Sequence, residues 1–128
     1  MIKFTILGLP TAKGRPRFAM RGKFAAAYTP AKTREAERDF KLQALKYAPE
    51  KPIEGPLSIT MNIFKPKPKS YSKKVIHWTS KPDLDNFIKI LDCLNGIFWK
   101  DDSQIVKIVA SKSYDDKART EMAIEEII

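Results

Sequence analysis

The chain has 128 residues, 43% hydrophobic and 30% charged, with 24 Lys and Arg against 15 Asp and Glu, a net charge of +9. That length supports a single domain, residues 1–128, with a modest core, and the charge calls for a polyanionic partner, nucleic acid or an anionic membrane surface. One cysteine rules out an internal disulfide; no apolar run nears the ~20 residues of a membrane span and no signal peptide opens the chain, so no membrane association and a cytoplasmic location are expected.

Taken in chain order, residues 2–8 alternate as a strand, with Ile2, Phe4 and Ile6 against Lys3 and Thr5. A basic loop follows with Lys13, Arg15, Arg17, Arg21 and Lys23 and no acid, broken by Gly14, Pro16 and Gly22. A short hairpin is expected about Arg21-Gly22, and the cations suit phosphate contacts. Thr29-Pro30 provides an N-cap and an N1 proline for a helix to about residue 48, with Ala36, Phe40, Ala44 and Tyr47 inward. Its apolar stripe is thin.

Residues 57–64 form a second strand, with Leu57, Ile59, Met61 and Ile63 on one face. Prolines at 66 and 68 stop it. Residues 65–81 carry Lys65, Lys67, Lys69, Lys73, Lys74 and Lys81 without an acid. This reads as a mobile basic flap suited to a phosphate backbone. Farther on, residues 104–114 and 120–127 are expected to form a closing hairpin about Asp115-Asp116-Lys117, with Met122 and Ile124 inward. The order β-α-β-α-β-β gives an α+β domain, one mixed sheet with two helices on a face.

Between flap and hairpin lies the stretch that carries chemistry. Residues 81–104 hold five of the fifteen acids: Asp83, Asp85, Asp92, Asp101 and Asp102. Residues 83–95 read as a helix with Asp83 at the N-cap, Gly96 at C′ and Leu84, Phe87, Ile88, Leu91 and Leu94 buried; Cys93 is a small buried residue. Asp85, Lys89 and Asp92 share a polar face. A turn through Phe98-Trp99 then leads to Asp101-Asp102 at the mouth of the next strand. Helix mouth and strand mouth are expected to bring three or four carboxylates together.

Like carboxylates about 4 Å apart repel by roughly 4 kcal/mol at an effective dielectric near 20, a cost that a divalent cation relieves. An all-oxygen set, Asp83, Asp85 and Asp102 with Asp101 as a weaker member, favours Mg²⁺ or Mn²⁺. With one His and one Cys, a zinc site is not expected. Such ions activate water and stabilise the leaving oxygen at a phosphodiester, and Lys89 is placed to orient the water or neutralise developing charge. Taken singly, each Asp is equally an ordinary cap or turn residue.

The segment resembles the RusA family of Holliday-junction resolvases, many of them phage or prophage proteins. Asp83-Leu84-Asp85-Asn86, Lys89, Asp92, Phe98-Trp99 and Asp101-Asp102 match its D-x-D-N-x-x-K, aromatic turn and D-D. The interval from Lys89 to Asp92 is one residue shorter than the family's, which leaves Asp92 without a role. A second match near the N-terminus, K-G-R-P-R-F then Y-T-P-x-K-T-R-E, marks Arg15 and Arg17 for DNA contact. The resemblance implies a RusA-like domain that cuts four-way junction DNA in recombination and repair. A junction's two-fold symmetry and its need for two nicks then imply a C₂ homodimer, for which Leu42, Leu45, Ile97 and Ile128 are candidate contacts. The alternative is a non-catalytic basic DNA-binding phage protein whose aspartates are caps.

Overall fold

The computed structural model describes residues 1–8, 17–21, 24–28 and 31–128, with side chains described for 1–8 and 35–128. The elements are β1 (Ile2–Leu7), β2 (Arg17–Arg21), β3 (Phe24–Tyr28), α1 (Ala31–Leu45), β4 (Leu57–Lys65), α2 (Leu84–Ile88), β5 (Ile105–Tyr114) and β6 (Arg119–Glu126). They form a mixed four-stranded sheet in the order β1-β6-β4-β5 and a separate β2-β3 hairpin. The α+β expectation holds. The hairpin pairs Arg17 with Tyr28 and Arg21 with Phe24, as expected; its turn, and Lys13, Arg15 and Lys23, lie outside the described residues. So do Thr29 and Pro30, the expected start of α1.

The alternation in β4 sets the architecture. Leu57, Ile59, Met61 and Ile63 are fully buried, and β4 takes the centre, antiparallel to β6 and parallel to β5. The expected closing hairpin of β5 on β6 is therefore corrected. The two strands flank β4 and never pair, because the most apolar strand gains most from having both edges covered. Met122 and Ile124 of β6 point inward as expected. On one sheet face Phe40 and Ala44 of α1 pack with Phe87, Leu91, Leu94, Phe98 and Trp99. Tyr47 is exposed, yet its ring stacks on Phe4 with centroids 5.3 Å apart.

The helix expected over residues 83–95 is α-helical only through α2; Lys89–Leu94 continues as a 3-10 helix. Ile90, Asp92 and Cys93 are weak α-formers, and burial of Ile90, Leu91 and Leu94 decides the winding. Gly96 ends it at φ 80°, as a C′ glycine should. Burial pushes the Cys93 thiol up to about 12, which fits a packed residue rather than a reactive one.

The two sheet edges differ. At β1, the Gln43 side chain accepts from Leu7 N–H at 2.8 Å and donates to Leu7 C=O at 2.9 Å, imitating a strand partner. At β5, Val106 is 64% exposed, Val109 50% and Ile108 39%, an apolar edge that no described residue covers. Among the described residues no helix is long and apolar enough to cross a membrane.

Candidate active site

Asp83 occupies the N-cap position of α2 with extended backbone (φ −68°, ψ 148°), yet its carboxylate makes no capping hydrogen bond. Among the described residues it meets only the Lys81 ammonium, 3.6 Å away on the surface. Asp85, in the first turn, is exposed and has no partner among the described residues. An aspartate that served the helix would spend its oxygens on N2 or N3 amides; these two do not. Lys89 stands one turn on and donates to Asn86 Oδ1 at 3.3 Å. One helix mouth thus presents two carboxylates that the helix does not use and an ammonium.

The approach to that mouth is fixed by Lys112, which sequence reasoning missed. Its ammonium donates to the Ser80 and Pro82 carbonyls, 2.9 Å each. The available signal was strand parity: Lys112 lies opposite Ile63, so a cation sits on the inward face of β5. The loop 66–82 is also less free than a mobile flap. Trp78 is buried beneath it, and the Lys67 ammonium turns inward to the Ser72 and Val75 carbonyls. Lys69, Lys73, Lys74 and Lys81 point to solvent.

At the other acidic motif the paired aspartates divide. Asp101 caps the 3-10 turn Asp102–Gln104: its Oδ2 accepts from Ser103 N–H at 3.3 Å, and its own N–H donates to Gln104 Oε1 at 2.9 Å. Those Ser103 hydrogen bonds hold its carboxyl below the usual range. Asp102 is exposed, with its carboxyl beside that of Asp101. Gln104 Nε2 ties the turn to the Ile53 and Gly55 carbonyls at 2.7 and 3.0 Å.

The structure does not gather these groups within one chain. Lys112 holds the Asp83 mouth near the end of β5, whereas Asp102 precedes its start at Ile105. Seven residues of extended chain separate Ile105 from Lys112, roughly 23 Å. Among the described residues no three acids, histidines or cysteines stand close enough to hold a metal ion. The expected meeting of helix mouth and strand mouth is corrected accordingly: the helical segment runs back along β5, so its start and the strand's start lie at opposite ends. The donors present fit a hard divalent cation in chemistry, being exposed carboxylates, but among the described residues one chain provides only Asp83 and Asp85 at one place.

Comparison with known proteins decides the family. Residues 8–125 match the family Endodeoxyribonuclease RusA. The chain belongs to the RusA endodeoxyribonuclease family. It is therefore an enzyme that cuts DNA internally. It is 38% identical to the uncharacterized protein YqaN of Bacillus subtilis (strain 168), over 98% of this chain and 96% of that protein. It is 37% identical to the crossover junction endodeoxyribonuclease rusA of Lactococcus phage r1t, over 68% of this chain and 69% of the relative. The RusA match covers both acidic motifs, the basic loop and every strand of the main sheet apart from β1 and the last residue of β6.

Proposed function

We propose that the protein resolves four-way (Holliday) DNA junctions in recombination by paired phosphodiester hydrolysis, using Mg²⁺ or Mn²⁺. The observation that carries this reading is the helix mouth: Asp83 and Asp85 keep their carboxylates free of the helix they open, beside Lys89, in a chain of net charge +9. The junction substrate is supported by the name of the phage relative. A bound cation would be held by Asp83, Asp85 and an Asp102, would activate water and would stabilise the leaving oxygen. Asp101, committed to its capping box, is the weakest of the four ligand candidates. Lys89 orients the attacking water or neutralises charge. Arg15 and Arg17, with Lys13, Arg21 and Lys23, grip the backbone from the N-terminal loop. Lys69, Lys73, Lys74 and Lys81 do so from the other arm, with Lys67 mainly bracing it. The setting is the cytoplasm, in a phage or prophage context.

The active form in this reading is a C₂ homodimer joined along β5. Its edge is long, apolar and uncovered by the described residues, and such edges pair readily with a second strand. Antiparallel pairing about a two-fold axis through the middle of β5 sets the start of one strand beside the end of the other. The partner's Asp102 then arrives at the end where Lys112 holds the Asp83 mouth, and the ligand set closes across the subunits. Co-expression of Asp85→Asn with Asp102→Asn chains tests this. Each variant alone should be inactive, while mixed dimers contain one site with all its carboxylates. Half the dimers, each with one working site of two, should nick a junction at roughly a quarter of the wild-type rate. No recovery on mixing would place the whole site within one chain.

A further inference from the structure

The loop 66–82 carries Trp78 into an aromatic stack whose polar donors lack acceptors among the described residues. Trp78 is 3% exposed; it stacks on Tyr114 with centroids 6.0 Å apart and meets Phe87 edge-on at 5.6 Å. Two ammonium groups flank the indole, Lys65 Nζ at 4.4 Å and Lys112 Nζ at 5.2 Å from its centroid. Lys112 satisfies itself on the Ser80 and Pro82 carbonyls. The others do not. Trp78 Nε1 and the Tyr114 hydroxyl are buried without a hydrogen-bond partner among the described residues. Lys65 has a half-buried side chain and makes no ion pair or side-chain hydrogen bond among the described residues.

Native proteins pair nearly all buried donors, because an orphan costs free energy. Two neutral donors and a cation around one ring form a donor-rich, acceptor-poor place, which is the chemistry of an anion site. The loop that carries Trp78 contains no helix or strand, and Lys67 folds its first half on itself through Ser72 and Val75. Beside it opens a cavity of about 580 Å³ lined by Lys67, Lys73 and Tyr114 and also by Asp115 and Asp116. Arg119 engages Asp115 at 2.8 Å.

We propose that this niche is a phosphodiester subsite. A backbone phosphate of the bound DNA enters beside the loop and accepts from the Tyr114 hydroxyl, the Trp78 N–H and the Lys65 ammonium. The inference rests on the reading that the substrate is DNA, and it places a phosphate contact beside the Asp83 helix mouth, to which Lys112 ties the same stack. None of the three residues needs to touch a metal.

The test uses the full-length protein carrying Asp85→Asn, bound to a synthetic four-way junction. Tyr114→Phe and Trp78→Phe each delete one donor and keep a ring; Lys65→Met deletes the charge. Each ring variant should lower junction affinity about tenfold. Tyr114→Phe should leave the melting temperature of the free protein unchanged or raised, because an unpaired buried hydroxyl is gone. Lys65→Met should flatten the slope of log K against log salt by about one. Unchanged affinity and slope in all three would overturn the subsite. So would a lowered melting temperature with unchanged affinity, which marks a purely structural stack. If inorganic phosphate senses the substitutions and the junction does not, the niche is an adventitious anion site only, and the proposal fails. Failure of the parent protein to bind DNA at all would instead sink the substrate reading.

Discussion

Replacing Asp85 by Asn is expected to lower junction cleavage on the order of a thousandfold, while junction binding stays equal or tightens. Asp85 is exposed in the first turn of α2 and has no partner among the described residues, so the fold does not depend on its charge. The substitution keeps the shape and deletes one negative charge beside the phosphate backbone, which removes repulsion from DNA. In the proposed metal site it takes away a hard anionic ligand, and an amide oxygen is a poor substitute for one. Rate and affinity should separate. A variant that cuts at near the wild-type rate would remove Asp85 from the site. Equal losses of rate and affinity would make it a binding residue.

Trp99→Ala should destabilise the protein by about 3–5 kcal/mol, the usual range for emptying a large aromatic site in a core. Trp99 is fully buried, packs near Phe98 with centroids 6.4 Å apart, and its indole N–H donates to Asn95 Oδ1. Its carbonyl accepts from Gly96 N–H at 2.6 Å, so the same residue closes the turn that delivers Asp101 and Asp102. The denaturant midpoint of unfolding measures the effect. A loss below about 1 kcal/mol would show that the turn is held mainly by Gln104 and the backbone of Ile53.

What local pattern encodes was legible. The alternation Leu57, Ile59, Met61, Ile63 gave both the strand and its buried face, and the stripe Phe87, Leu91, Leu94 gave the packed helical face. The positive φ of Gly96 followed from a residue type at a helix end. Pairing was not legible, because nothing in the periodicity of β5 or β6 says that β4 will lie between them. The acidic site shows the same limit. Residue types at their spacing nominated Asp83, Asp85, Asp101 and Asp102. Only backbone geometry shows that Asp101 spends its carboxylate on a cap and that Asp102 stands at the far end of β5 from Asp83. Lys112 and the Trp78 stack were hidden for a related reason: a lysine in a strand and a tryptophan in a lysine-rich loop acquire meaning only when they are found facing each other.

The most direct measurement is incubation of the wild-type protein with a synthetic four-way junction and with a linear duplex of the same arm sequence, with Mg²⁺ and with a chelator. The expected result is symmetric paired nicks in the junction with Mg²⁺, no cleavage with the chelator, and little or none of the duplex. Binding of the junction without cleavage under either condition would contradict the resolvase reading and leave a protein that binds DNA without cutting it.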